Sequence, residues 1–140
     1  MVILDTTILA YAVSEEHPLR EGCIRVLTAH RDGSLRATTT AEVVQEFAHI
    51  YARRRTRDEA AHLATLYLDA LDPVAATAAD VRAGLELFRR IPALGAFDSV
   101  LAAVALRLDA DALISADRAF ADVPGLRWVD PASDALAAFI

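Results

Sequence analysis

Short, uninterrupted apolar runs constrain this chain more than any other feature. Val2-Ile3-Leu4 runs straight into a carboxylate, Asp5, and Ala112-Leu113-Ile114-Ser115 forms a second run near the other end. Neither alternates apolar with polar, so neither fits a strand with one face in water. A continuous run fits a parallel strand covered on both sides. Helical spacing fills most of the sequence between them. Short apolar strands separated by helices and helix pairs predict an α/β fold with a mainly parallel central sheet flanked by helices. At 140 residues, with no repeat, low-complexity tract or linker, positions 1–140 read as one domain with a sizeable core.

The individual elements follow from caps and periodicity. Thr6 is placed to cap a short helix over Thr6 to Val13. Pro18 suits the first position of a helix that carries Leu19, Cys23, Val26, Leu27 and His30 on one face and ends at Asp32-Gly33. Leu35 to Thr38 reads as a weak strand, and Thr40 starts a helix with Val43, Val44, Phe47, Ile50 and Tyr51 at helical spacing. Thr56 with Glu59, and Thr77 with Asp80, are capping-box patterns. The first opens a helix with Leu63, Leu66, Tyr67 and Ala70 inward. The second opens one through Val81, Leu85, Phe88 and Ile91. Between them, Asp72-Pro73 is a break, and Val74 to Ala76 is a short strand or a turn. After the loop Pro92 to Ala96 comes a helix from about Phe97 to Leu108. The turn Val123-Pro124-Gly125 leads to a last strand, Leu126 to Val129.

Composition removes several function classes. All 14 basic residues are arginine, so lysine-dependent chemistry, including the Walker A loop and Schiff bases, is excluded. Cys23 is the only cysteine, which rules out an internal disulfide and a metal–thiolate site and fits a reducing cytosol. No segment has the length of apolar sequence that a membrane helix needs, and no secretory signal is visible, so a cytoplasmic protein is expected. A net charge of −6 argues against nucleic-acid binding through the overall field.

Three aspartates stand where α/β geometry can gather them. Ligand crevices in parallel sheets lie beyond the carboxyl ends of the strands. Asp5 ends the first strand, Asp117 lies just past the strand that finishes near Ser115, and Asp98 sits in the first turn of a helix that is apolar nearly all round. Each also has a plainer use: a helix cap, a partner for a helix dipole, or a turn former. Carboxylates converging in a crevice would repel one another unless a cation joined them. Oxygen ligands without histidine or cysteine suit magnesium or manganese. A fourth acid comes from TTTAEVVQEFAHI, where Glu42 and Glu46 lie one turn apart on one side of a helix. Glu46, between Val43, Phe47 and Ile50, is the preferred ligand, and Glu42 the alternative.

Taken in order, LDTTILAYA, TTTAEVVQEF, LGAFDSVLAAVAL and LISADRAFADVPGL resemble a PIN domain, and more narrowly a VapC-type ribonuclease toxin of a type II toxin–antitoxin system. The resemblance covers nearly the whole chain. It implies a PIN-like three-layer sandwich, a homodimer, and an acidic Mg2+ or Mn2+ site that cleaves RNA. The family's acids fall on Asp5, Glu46, Asp98 and Asp117, with its frequent hydroxyl residue on Thr6. The extra Glu42 departs from the pattern. Resemblance to these toxins also implies a cognate antitoxin whose C-terminal segment occupies a groove and carries a basic residue into the site.

The expected chemistry is hydrolysis of a phosphodiester. A divalent ion makes a bound water nucleophilic and relieves charge on the phosphoryl oxygens. Asp5, Asp98 and Glu46 are the expected ligands, and Asp117 either binds a second ion or orients the water. RNA then needs positive contacts elsewhere. Arg53, Arg54, Arg55 and Arg57 of ARRRTR could clamp phosphates or simply favour a helix terminus, and Arg89, Arg90 and Arg118 are further candidates. His17, His30, His49 and His62 lack metal-ligand spacing, and Tyr51 and Trp128 read as core or dimer-surface aromatics. Two rivals are a catalytically silent binding module and a phosphatase of the haloacid dehalogenase type. The latter would need an aspartate where Thr7 stands, and a lysine.

Overall fold

In the computed structural model, which describes residues 1–140, the apolar runs form the centre of the sheet. The strands are β1 (Val2–Leu4), β2 (Ala37–Thr38), β3 (Ala112–Ile114) and β4 (Trp128–Val129). They lie in the order β2-β1-β3-β4, and every pair is parallel. All of β1 and β3 is buried, which is why both runs are apolar at every position. Six helices flank the sheet: α1 (Thr6–Ala12), α2 (Arg20–Arg31), α3 (Ala41–Tyr51), α4 (Arg57–Leu71), α5 (Ala78–Arg90) and α6 (Ala96–Arg107).

From β1 the chain crosses to β2 on one side and later returns to β3 on the other. The carboxyl ends of β1 and β3 therefore flank a topological switch point, where open parallel sheets bind ligands. Leu4 pairs in register with Ile114, so whatever follows these two residues is forced into proximity.

Local signals placed most helices well. Both capping boxes form, Thr56 with Glu59 and Thr77 with Asp80, and α6 buries Leu101 through Ala105 without interruption. Several expectations need correction. The cap of α1 is Asp5, whose side chain accepts from the Thr7 amide, so Thr6 is the first helical residue. Helix α2 starts at Arg20, not Pro18, because the Leu19 amide bonds to His17 Nδ1 in a preceding turn. Only two residues of each outer strand pair, and Val74 makes a single bridge to Thr40. On α4 the covered face is Ala60, Ala64 and Leu71, while Leu66 is exposed.

Helix α5 departs furthest from its pattern. Val81, Leu85 and Phe88 face outward, and the helix turns Asp80 and Gly84 inward. A Cβ on Gly84 would lie 2.8 Å from Val100 Cα on α6, so the glycine is required for close helix–helix approach. Asp80 clamps the same interface. It is 3% exposed, accepts from the Thr77 amide and hydroxyl (both 2.7 Å), and bonds Arg107 Nε at 2.7 Å. The Arg107 guanidinium holds its carboxyl down at about 2. Asp80 thus contributes stability that is present above the ordinary aspartate range and lost as pH falls toward 2. Asp80→Ala removes a cap and a charge-assisted bond, and should destabilise by about 1–3 kcal/mol in chemical denaturation.

Candidate active site

The switch point is built from a backbone ladder that continues past the strands. The Asp5 amide donates to Ile114 O at 3.1 Å, and the Ser115 amide to Val129 O at 3.1 Å. Asp5 and Ser115 therefore stand side by side. The Asp5 side chain is 4% exposed, and its Oδ2 is saturated by protein donors. It accepts from Thr7 Oγ1 at 2.7 Å, Ser115 Oγ at 2.7 Å and the Thr7 amide at 3.3 Å.

Both hydroxyls are themselves oriented. Thr7 Oγ1 accepts from the Ala116 amide at 3.0 Å, and Ser115 Oγ from the Asp117 amide at 2.9 Å. Each hydroxyl is thereby held with its proton directed at Asp5. Oδ1 has no protein donor, yet no buried side-chain oxygen is left unpartnered. It therefore opens to the cleft, and this buried aspartate retains one oxygen free of protein donors.

The other acids reach this cleft from separate elements. It has a volume of about 820 Å³ and is bordered by Asp5, Glu46, Asp98 and Asp117. Glu46, in the second turn of α3, accepts from Thr6 Oγ1 at 2.6 Å. Asp117 caps the 3₁₀ turn Arg118–Asp122 through the Ala119 amide at 2.8 Å. Asp98, in the first turn of α6, has its carboxyl pushed up to about 6. Burial is the largest cause, followed by the charges of Asp5, Asp117 and Glu46. A carboxyl raised in this way by three others reports a shared region of negative charge. No three of the acids are drawn close enough to chelate one ion without side-chain movement.

Gly95, the residue that caps α6, gives Asp98 its room. Its φ of −66° suits any residue, but a Cβ would lie 2.8 Å from Asp98 Oδ2. Glu42 is exposed and borders a smaller, apolar hollow of about 310 Å³ on the other side of Glu46, shared with Asp5, Asp98 and Phe97.

The sequence pattern pointed to the four acids and to Thr6, but not to Thr7, Ser115 or Gly95. Of the candidate cations, Arg54 and Arg55 border the acidic cleft, whereas Arg53, Arg57 and Arg118 do not. Arg89 and Arg90 pair with Glu86 on α5. His30 is structural: Nδ1 accepts from the Ala37 amide at 3.2 Å and Nε2 bonds Ala70 O at 2.9 Å. Trp128 Nε1 donates to Ser115 O at 2.9 Å, supporting the floor of the site. Cys23 is buried, and burial pushes its thiol up to about 12, so it is chemically quiet. No helix is long and apolar enough to cross a membrane.

Known proteins resemble this chain in sequence and in fold. The family model of the PIN domain matches residues 2–126. Ribonuclease VapC7 of Mycobacterium tuberculosis is 46% identical over 136 residues, covering 94% of this chain and 92% of the relative. Ribonuclease VapC13 of the same organism is 32% identical over 130 residues, covering 91% and 98% respectively. In fold, the chain resembles the VapBC2 structure from Rickettsia felis, bound to a DNA fragment of its promoter. That match has a TM-score of 0.71 at 16% identity and covers 93% of this chain and 98% of that one.

Proposed function

The chain belongs to the PIN domain family, and we propose that it is a metal-dependent endoribonuclease acting as the toxin of a toxin–antitoxin pair. The observation that carries the metal site is the convergence of Asp5, Glu46, Asp98 and Asp117 on one cleft at the sheet's switch point. There burial, and then the other three charges, push the Asp98 carboxyl up. Such a donor set fits a hard divalent cation: all donors are oxygens, no arginine is ion-paired with any of the four acids, and Asp5 Oδ1 is free. Asp5, Asp98 and Glu46 would hold Mg2+ or Mn2+, with Asp117 as a fourth acid. When bound, such an ion lowers the pKa of its water and withdraws charge from the phosphoryl oxygens.

The remaining tasks fall to the protein. Thr7 and Ser115 fix the Asp5 carboxylate, so that its free oxygen faces the cleft without reorganising. Thr6 does the same for Glu46 and selects one of its oxygens. Oriented side chains of this kind preserve ligand geometry. A silent binding module would gain nothing from holding four acids against their mutual repulsion. The direct test is cleavage of RNA by the purified chain in magnesium, against the same reaction in chelator. No metal-dependent cleavage would remove this reading.

Two partner surfaces are available for the proposed assembly. Val81, Leu85, Phe88 and Phe97 expose apolar surface along α5 and the start of α6, and Ile50, Leu66 and Leu68 expose another set on α3 and α4. Apolar groups left bare on a small domain mark interfaces. A homodimer and an antitoxin segment would together use them, and a basic side chain of the antitoxin entering the cleft would compete with the metal for the same charge. Such a protein works in the cytoplasm.

Gly95 supplies a further test of the site. In Gly95→Ala the new methyl must displace the Asp98 carboxylate, the one mobile atom group near it. Folding should change by less than ~1 kcal/mol, whereas cleavage should fall roughly 10- to 100-fold. Rates measured across a magnesium titration would check this, because excess metal should restore part of the loss.

A further inference from the structure

The cleft extends well beyond the acids, and its far end is chemically different. Tyr11, in the last turn of α1, and His17, in the following loop, stack with ring centroids 3.7 Å apart and planes inclined by 16°. Both are half-buried and border the cleft. The loop that carries His17 is tied down at several points. Ser14 bonds Tyr11 O through its amide (3.2 Å) and its hydroxyl (2.7 Å). Arg20 Nε donates to Ser14 O at 2.7 Å. The Leu19 amide donates to His17 Nδ1 at 3.1 Å, which leaves Nε2 as the ring's N–H donor. The stacked pair is thus a fixed platform with a polar edge.

Across the cleft stand two arginines, and they differ. Arg55 pairs with Glu15 of the His17 loop, bridging the cleft. Arg54 borders the same cleft and its side chain makes no hydrogen bond or ion pair, so its guanidinium is uncommitted. Arg53 is exposed but lies outside the cleft. A polyanion drawn toward four carboxylates needs positive charge within the same groove, and these two side chains supply it.

On the premise that the chain cleaves RNA, we propose that this far end is a subsite for one single-stranded nucleotide flanking the scissile phosphate. Its base stacks on the Tyr11–His17 platform. Its phosphate is taken by Arg54, and by Arg55 once Glu15 is displaced. Stacking on an aromatic face tolerates any base, while the guanidinium fork suits a phosphate's paired oxygens. The subsite accordingly positions an unpaired strand and excludes a stacked duplex.

Binding of a short, fluorescently labelled single-stranded oligoribonucleotide, followed by anisotropy in chelator, tests this without any cleavage. Arg54→Ala should weaken binding about tenfold and lower the salt slope by about 0.7, the value for one lost phosphate contact on a single strand. His17→Ala should weaken binding about tenfold with the slope unchanged, and His17→Phe should restore it, as stacking requires and a merely structural role does not. Arg53→Ala, one residue away, should cost less than about twofold if position, not net charge, decides. Equal losses in Arg53→Ala and Arg54→Ala, no loss in His17→Ala, or no rescue by His17→Phe would overturn the subsite. Cleavage of the same RNA by the unaltered chain in magnesium is measured in parallel. Absence of that activity would count against the nuclease reading, separately from the outcome for the binding variants.

Discussion

Replacing Asp98 by asparagine should abolish metal-dependent RNA cleavage while making the metal-free protein more stable, and Asp5→Asn should match the first effect. The expected loss is roughly 10²–10³-fold or more, the scale on which removing one electrostatic partner of a developing charge raises a barrier. The two variants differ in stability. In Asp5→Asn the amide oxygen can still accept from Thr7 and Ser115, but those bonds lose their charge assistance, so this variant should gain little or nothing in stability. Asp98 has only the Gly95 amide as a donor and is held in a buried position against three other acids. An amide removes that repulsion at little structural cost. Cleavage that persists in both purified variants would eliminate the proposed mechanism.

The pH dependence of stability gives the same prediction a second measurement. Asp98 has its folded-state value raised to about 6, against an ordinary aspartate near 3.8. Between those values the folded chain holds the proton more often than the unfolded chain, so the group's contribution falls as pH rises and levels off above about 6. The full shift would correspond to about 3 kcal/mol, but the carboxyl is partly open to solvent, and about 1–2 kcal/mol is the reasonable expectation. Metal-free Asp98→Asn should therefore gain stability over the parent at neutral pH and not at pH 4. Asp80 acts with the opposite sign at a lower pH, so the two effects separate in a titration of the melting temperature. Saturating magnesium should remove the parent's deficit at neutral pH.

The parts of this molecule that were legible in its sequence are those whose physics is local. Capping boxes at Thr56 and Thr77 form within four residues, and the strands β1 and β3 announce themselves because burial on both faces leaves no polar position. The placement of Asp5, Asp98 and Asp117 followed from where strands and helices start and stop. What escaped detection depends on contacts between distant residues. Ser115 reaches Asp5 only because β1 pairs with β3 in a particular register, and no spacing along the chain encodes that register. Thr7 and Thr6 are adjacent and chemically alike, yet one serves Asp5 and the other Glu46. Gly95 matters through a single missing methyl group. Helix α5 misled for another reason: its large apolar residues imply burial, but its small and charged face is the one that meets α6. Where close helix approach decides packing, Gly84 outweighs Leu85. The apolar stripe of Val81, Leu85 and Phe88 is left outside.

The second large effect separates the two glutamates of α3. Glu46→Gln should reduce cleavage on the order of 10²-fold, whereas Glu42→Gln should change it by less than about twofold, as expected for an exposed helix carboxylate. One turn of helix divides them. Glu46 borders the acidic cleft, adds to the charge that raises Asp98, and has one oxygen already engaged by Thr6 at 2.6 Å. Its amide counterpart keeps the shape and the hydrogen bond but removes the charge, so folding should be nearly unaffected. Glu42 sits in the first turn of α3, where a negative charge favours the helix dipole, and it borders the apolar hollow beside Phe97. Steady-state cleavage at several magnesium concentrations distinguishes the outcomes. A glutamate that helps hold the ion should show its defect largely as weakened metal dependence, partly recovered at high magnesium. A loss at Glu42 equal to that at Glu46 would mean that the ion is shared by both turns of the helix. A loss at Glu42 alone would transfer the ligand role to it and leave Glu46 as the acceptor that fixes Thr6.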